Sequence, residues 1–191
     1  MNDSMNSLVY TIESIEVKPK QLVLVTLSEN QIDEEKTISH LIDRKTWEDS
    51  GFSKSSALTT DELSALLSLS SYTRSKSRAL WLLSRKDYSK KELLKKLKDV
   101  ADEETNRQVI DRLEELGLLD DEKFSDALAR QYCGIRNYPI QQALRKMQEK
   151  GIDREQALAS LQKNDANDMA SALVFLKKKC YTHLLEYEKK Q

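Results

Sequence analysis

The chain carries one pattern of residues twice between Ser77 and Lys163. Apolar, basic and aromatic positions recur at an offset of 50 residues. The corresponding pairs are Tyr88 and Tyr138, Ser89 and Pro139, Leu94 and Leu144, Lys96 and Lys146, and Leu97 and Met147. An internal repeat of this length without strand-like alternation indicates a stack of small helical units. Such stacks present long surfaces to partners and seldom hold a catalytic pocket.

The predicted fold class is mainly α: tandem three-helix repeats in a right-handed helical stack, preceded by a small β-rich N-terminal domain. Four glycines and two prolines among 191 residues suit this class, because both residue types interrupt helices. The segment Ser68–Ser77 is serine-rich and basic, and we predict that it links the two parts. The predicted domains are a β-rich domain closed by a helix at 1–72, repeat 1 at 73–118, repeat 2 at 119–163 and a partial repeat 3 at 164–191.

The N-terminal part, residues 10–42, has the composition and alternation of strands. The predicted strands cover 10–17, 22–27 and 37–42. Lys18–Gln21 suits the turn between the first two. Thr59 and Glu62 form a capping-box pattern, which predicts that a helix begins there.

Apolar residues at helical spacing predict three helices in each repeat. Those of the first repeat cover about 75–86, about 89–97 and about 104–116. Gly117 is the expected glycine after the third helix, and Asp120 and Asp121 are expected to cap the next one. We expect Trp81 and Tyr88 to pack between helices. Further residues predicted to face inward include Leu80, Leu116, Leu118 and Ala127.

The net charge of −1 hides bands of opposite sign. Residues 73–98 contain ten lysines and arginines and two acidic residues. Residues 99–126 contain three basic and eleven acidic residues, and residues 127–150 contain five and one. The basic bands predict a surface for an anionic partner, either an acidic protein or a phosphate backbone. The alternative is a solvated face that the acidic third helix neutralises.

The predicted binding surface is centred on the helix that begins near Ser89. At 100° per residue, Lys91, Lys95 and Lys98 fall in one narrow stripe of that helix. Like charges four residues apart repel each other by roughly 0.2–0.5 kcal/mol per pair, which an anionic partner would offset. The candidate partner- or nucleic-acid-binding residues are Arg74, Arg78, Arg85, Lys86, Lys90, Lys91, Lys95, Lys98, Arg136, Arg145, Lys146 and Lys150.

The sequence contains no pattern that indicates catalysis, a metal ion or a cofactor. His40 and His183 lack Cys or carboxylate neighbours at ligand spacing, and there is no glycine-rich phosphate loop. Cys133 and Cys180 lie in helical patterns, and we expect them to be buried and reduced. No run of about 18 apolar residues occurs, so no membrane span is predicted. We therefore expect a monomeric, cytoplasmic protein that is not an enzyme.

Four short segments, each an ordinary helix boundary by itself, together form a pattern that is specific for a protein family. Their residues are Ala79, Leu80, Leu82 and Leu83; Tyr88, Ser89, Glu92, Leu93 and Leu97; Leu113, Gly117, Leu118, Leu119, Asp120, Asp121 and Phe124; and Lys150, Gly151, Ile152 and Asp153. In order and spacing, this set resembles the RecX family of bacterial recombination regulators over roughly residues 77–161. One departure is Arg136–Pro139, which stands where the family often has a glycine-containing turn.

The resemblance implies a protein that binds the filament of the RecA recombinase along its groove. It also implies that the protein modulates, usually by inhibition, strand exchange and coprotease activity in DNA repair and the SOS response. Some members of the family contact DNA, so single- or double-stranded DNA is a second candidate partner. Two alternative functions remain open: a direct DNA-binding helical protein, and a helical scaffold for another protein.

Overall fold

The computed structural model describes the main chain of residues 9–29, 36–164 and 166–188, and their side chains except those of 179 and 181–188. The chain is divided into two compact units. The first consists of Met1–Leu82 and Leu97–Val109, and the second of Leu83–Lys96 and Ile110–Gln191.

The described architecture is mainly helical with a small antiparallel sheet near the N-terminus, which confirms this part of the predicted fold class. The grouping of the helices into stacked three-helix repeats stays a prediction.

The first unit contains an antiparallel sheet. Its strands are β1 (Val9–Lys18), β2 (Leu22–Glu29), β3 (Lys36–Asp43) and β4 (Ala57–Thr59), in the spatial order β3-β2-β1-β4. The three predicted strands are confirmed. Strand β4 is absent from the prediction because three residues are too few to show alternation. Lys20 and Gln21 close the predicted turn in the left-handed conformation, at φ 61° and 60°.

One face of the sheet forms the apolar core of the first unit, because alternate side chains of a strand point to the same face. On β2 the buried residues are Val23, Val25 and Leu27. Helix α1 (Arg44–Ser50) adds the indole of Trp47 to this core. Its other buried members are Ile12, Ile42, Leu58, Leu63 and Leu66.

Helix α2 runs without a break over Thr60–Leu83. The predicted capping box is present: the Thr59 hydroxyl accepts the Glu62 N–H at 3.3 Å, and the Glu62 carboxylate accepts the Thr59 N–H at 2.8 Å. The prediction that Ser68–Ser77 is a linker is wrong, because the whole segment is helical.

The reason for that error is that α2 buries opposite sides in its two halves. Leu63, Leu66 and Ser70 are buried and lie within an arc of about 60° at 100° per residue. The residues buried in the second half, on the opposite side of the helix, are Ser75, Ala79 and Leu82. Because neither stripe continues along the whole helix, apolar periodicity places a false break between them.

The rest of the described chain is helical with short connections. The segments are α3 (Lys90–Leu97), α4 (Glu103–Glu115), α5 (Asp121–Ala129), a π-helical segment (Arg130–Ile135), α6 (Ile140–Glu149), α7 (Arg154–Lys163) and α8 (Asp168–Glu188). Gly117 follows α4 at φ 68°, as predicted for a glycine after a helix. Gly151 follows α6 at φ 87°.

A buried polar side chain links helices within the first unit. Asn106 of α4, 1% exposed, accepts a hydrogen bond of 2.6 Å from the Ser75 hydroxyl of α2. Its amide group donates to the main-chain oxygens of Leu97 and Ala101, at 3.0 and 2.8 Å. Asn106 therefore supplies donors to the last carbonyl of α3, which also accepts the Val100 N–H at 2.8 Å, and to the carbonyl of Ala101 in the following connection.

The core of the second unit is formed by α5, the π-helical segment, α6 and α7. Its buried members are Leu128, Ala129, Tyr132, Ala143, Leu144, Met147, Ile152, Ala157 and Leu161. The predicted inward residues Leu144 and Met147 are thus confirmed.

Several other predicted core positions are wrong. Leu80, Leu118 and Ala127 are exposed, because each lies next to the buried position rather than on it. Leu116 is exposed because α4 ends at Glu115. Cys180 is also exposed. By contrast, Cys133 is half-buried, and this burial raises the pKa of its thiol.

Candidate partner-binding surface

The N-terminus of α3 is fixed by bonds from distant residues. The buried hydroxyl of Ser89 accepts the Glu92 N–H at 3.0 Å and donates to the Lys150 carbonyl at 2.6 Å. The N–H of Lys90 is accepted by the Asp121 carboxylate at 2.8 Å. Asp121 was predicted to cap its own helix, α5, but it caps α3 instead. This contact joins residues 31 positions apart, so local sequence patterns carry no signal for it.

The carboxylate of Glu92 is a shared partner for two candidate residues. Its Oε1 lies 3.2 Å from Lys86 Nζ and 3.7 Å from Lys150 Nζ. Lys86 also lies over the ring of Tyr88, with Nζ 4.0 Å from the centroid. Tyr88 is buried, as predicted. Lys86 and Lys150 thus share one carboxylate within the second unit, which offsets one of their two positive charges.

Lys90 is neutralised by a second carboxylate. Its ammonium group donates a short hydrogen bond to the carboxylate of Glu114 on α4. This bond raises the pKa of Lys90 above its ordinary value. For Lys90, the alternative of neutralisation by the acidic helix is therefore correct.

Three other acidic residues of α4 have partners within their own helix. Glu103 pairs with Arg107, Glu104 accepts a bond of 3.3 Å from Gln108, and Glu115 pairs with Arg112 at 2.8 Å.

Lys91 and Lys95 are two of the three exposed lysines of α3, and the third is Lys96. Lys91 and Lys95 lie four residues apart on the same side of the helix, and neither forms an ion pair within the part of the chain that the structure describes. Lys98 is exposed too, but it follows the end of α3 at Leu97. The predicted helical stripe therefore contains two lysines instead of three. An unneutralised pair of like charges on one helix face is the feature that an acidic partner would satisfy.

The other basic residues of 127–150 that belong to the candidate surface have partners of two kinds: a carboxylate for Arg145 and Lys146, and aromatic rings for Arg136. Glu149 lies 2.8 Å from Lys146 and 3.6 Å from Arg145, and the bond from Lys146 lowers the pKa of Glu149. Arg136 lies over the rings of Tyr132 and Tyr138, 5.9 and 6.0 Å from their centroids.

The turn that carries Arg136 keeps the geometry expected of a glycine. Asn137 has φ 55°, a left-handed conformation that Asn tolerates better than most residues. The departure from the family pattern at Arg136–Pro139 is thus a change of residue that this backbone accommodates.

The remaining candidates lie on α2 or directly after it. Arg74 and Arg78 belong to α2, and Arg85 follows its end. The guanidinium of Arg78 lies 4.5 Å from the centroid of the Trp81 ring. The prediction that Trp81 packs between helices is wrong, since 46% of this residue is exposed.

The described residues offer little for chemistry. No group of three or more His, Cys, Asp and Glu side chains among them is placed to hold a metal ion. A cleft of about 270 Å³ in the second unit is lined by apolar residues, including Leu83, Tyr88 and Phe124, and by a similar amount of polar surface. Its Asp120 caps α5 by accepting the Lys123 N–H at 2.9 Å, as predicted. Within the described ranges, no helix has the length and apolarity to cross a membrane.

Comparisons with known proteins agree with this architecture. Residues 76–113 match the family model for the first three-helix domain of RecX. Regulatory protein RecX of Clostridioides difficile (strain 630) is 25% identical over 138 residues, which are 72% of this chain and 65% of that protein. The chain thus spans less than two thirds of the length of this relative.

Two solved structures share the fold. A crystal structure of regulatory protein RecX has a TM-score of 0.56 at 18% identity and covers 95% of this chain and 85% of its own. The crystal structure of RecX from Lactobacillus salivarius has a TM-score of 0.53 at 21% identity, over 59% and 76% of the two chains. At these identities, the structures establish the fold alone.

This mainly helical chain with a small N-terminal sheet thus contains a segment that matches a three-helix domain found in a class of regulatory proteins. The segment match and the curated relative support the resemblance to the RecX family seen in the sequence, and the two solved structures share the fold of this chain.

Proposed function

We propose that this chain is a non-enzymatic regulator that binds the filament of a RecA-type recombinase. Binding would restrain strand exchange and coprotease activity in DNA repair and the SOS response. The family resemblance supports the choice of partner. The observation that carries the proposal is the exposed Lys91 and Lys95 pair of α3, which has no carboxylate partner in the described part of the chain.

The mechanism we propose is steric and electrostatic. A monomer built from repeats at 73–118 and 119–163, with a partial repeat at 164–191, lies in the filament groove and contacts neighbouring subunits. Several modest contacts act together on such a polymer, so no single contact has to be strong. The bound chain then blocks the DNA partner or alters filament disassembly. Such a regulator would act in the cytoplasm.

The test is to add the protein to recombinase filaments and measure single-stranded-DNA-dependent ATP hydrolysis and strand exchange. The wild-type chain should reduce both activities, and no change at saturating protein would refute the proposal. Charge reversal at Lys91, Lys95 and Arg145 together should abolish the effect while helicity, measured by circular dichroism, is retained. The matched control reverses Lys36, Lys45 and Lys54, which are exposed in the first unit, and should keep the effect.

Direct DNA binding is the second candidate, because unpaired lysines suit phosphates as well as carboxylates. Binding of the chain alone to single- and double-stranded oligonucleotides across a salt series separates the two. In a plot of the logarithm of the binding constant against the logarithm of the salt concentration, each phosphate contact contributes a slope of about −0.9 on duplex DNA and about −0.7 on single strands. Binding that needs the recombinase favours the first proposal.

A further inference from the structure

The second half of α2 exposes a side of the helix that its first half buries. Leu63, Leu66 and Ser70 face inward in the first half. Trp81 lies on the same side of the helix, since at 100° per residue it comes within about 60° of all three. Beyond Ser70, this side carries no buried residue in the described structure, and Trp81 is 46% exposed.

The residues around Trp81 combine apolar surface with positive charge. Arg74 and Arg78 lie four residues apart on the same side of α2, and the Arg78 guanidinium is 4.5 Å from the Trp81 ring centroid. Leu80 (40% exposed) and Leu69 (55% exposed) lie on another side of the helix, about 120–180° from the two arginines at 100° per residue, and do not belong to this surface. The sequence has no acidic residue between Glu62 and Asp87, so no neighbour along the helix neutralises the two arginines.

This composition distinguishes between two kinds of anionic partner. A phosphate backbone would engage Arg74 and Arg78 but would leave the exposed indole of Trp81 without an apolar contact. Protein interfaces are enriched in Trp and Arg, and these residues dominate their binding energy. Stacking of the Arg78 guanidinium on the indole also restricts both side chains before binding, which lowers the entropic cost of association.

We infer that Arg74, Arg78 and Trp81, which lie within about 60° of one another on α2, form a docking surface for an acidic, partly apolar protein surface, with Trp81 as its anchor. The inference rests on the proposed function, because it takes the recombinase filament to be the partner that carries the acidic surface. It differs from the sequence-based expectation, which centred the binding surface on the lysines of α3. The α2 surface lies in the first unit, whereas Lys91 and Lys95 lie in the second.

The experiment measures binding of Trp81→Ala, Trp81→Phe and Arg78→Ala variants to RecA-type filaments assembled on single-stranded DNA with a non-hydrolysed ATP analogue. Trp81→Ala should weaken binding at least about thirty-fold, the size of a hot-spot loss. Trp81→Phe should keep part of the affinity. The matched control is Leu41→Ala, because Leu41 of β3 is also 46% exposed and belongs to the same unit. It should bind like the wild type.

A second measurement reports on the indole itself. Trp47 is buried, so a Trp47→Phe chain labelled with 5-fluorotryptophan has a single reporter at position 81. Its ¹⁹F resonance should shift when filament is added, and should not shift with the oligonucleotide alone.

The possible results separate the two proposals. Wild-type binding with an unchanged Trp81→Ala variant overturns the α2 surface and leaves the proposed function intact. An equal loss of affinity for the naked oligonucleotide also overturns it, because nucleic acid would then be the partner. Absence of wild-type binding to the filament overturns the proposed function and the α2 surface together.

Discussion

The hydroxyl of Ser89 donates a hydrogen bond of 2.6 Å to the main-chain oxygen of Lys150, a residue 61 positions later. The same hydroxyl accepts the N–H of Glu92 and so caps α3. One buried oxygen thereby joins the start of α3 to the end of α6, two helices that share the second unit.

Gly151→Ala should destabilise the fold at this junction. A Cβ at position 151 would lie 2.7 Å from the Ser89 hydroxyl oxygen and 3.0 Å from the Lys91 Cβ, at a φ of 87° that also disfavours alanine. We expect a loss of about 2–4 kcal/mol in the free energy of unfolding, from strain and displacement of the cap together. Urea denaturation followed by circular dichroism measures it.

Gly117→Ala is the matched control for Gly151→Ala. Gly117 has a similar φ of 68°, but an added Cβ there would meet nothing within 4 Å. Its loss should be about 1 kcal/mol, from backbone strain alone. Equal losses in the two variants would show that the approach to Ser89 has no energetic role.

Asn106→Leu should be among the most destabilising changes in the first unit. The substitution removes the partner of the Ser75 hydroxyl and leaves the Ala101 carbonyl without the amide that it accepts from, whereas the Leu97 carbonyl keeps the N–H of Val100 at 2.8 Å. Unsatisfied buried polar groups cost about 1–3 kcal/mol each, so we expect at least about 2 kcal/mol in urea denaturation. Ser75→Ala, which removes one bond only, should cost less; the reverse order contradicts this account.

The stability of the second unit should depend on pH through Asp126. The hydrogen bond from Lys163, at 2.6 Å, lowers the pKa of the Asp126 carboxyl in the folded state. A lowered folded-state pKa adds stability above the unfolded value of about 3.9, and this stability is lost as the pH falls through the folded pKa. Asp126→Asn should therefore flatten the acid side of the stability profile measured by urea denaturation from pH 7 to pH 2. If Asp126→Asn has the same stability profile as the wild type, the hydrogen bond from Lys163 to Asp126 is not the source of the loss of stability at acid pH.

Lys91→Glu should stabilise α3 while it weakens binding to the recombinase filament. A glutamate in the first helical turn interacts favourably with the helix dipole and pairs with Lys95 four residues later, for about 0.5–1 kcal/mol in total. Thermal denaturation measures the gain. Lys90→Glu is the comparison, because it destroys the pair with Glu114 and should destabilise the chain. A Lys91→Glu variant that is both less stable and weaker in binding would indicate a structural role for Lys91.

The parts of the fold that follow from the sequence are those set by short-range signals. The strands, the Thr59–Glu62 capping box and the glycine after α4 depend on neighbours a few residues apart. The missed features depend on distant contacts: α2 appears broken because it buries two sides, and Asp121 caps a helix 31 positions earlier. Of the candidate surface, the charge bands predict where the bases lie. They do not predict which bases have carboxylate partners, because Glu92 and Glu114 reach theirs through tertiary packing.

The unbroken α2 determines where the chain can be cut. A fragment that begins at residue 73 lacks the Thr59–Glu62 cap and starts in the middle of the helix, with its first turn unsatisfied. The complementary fragment ending at residue 72 keeps Leu63 and Leu66, which complete the core under the sheet. Limited proteolysis of the intact protein should therefore spare residues 60–83, and fragments for separate study of the two parts are better designed with this helix whole.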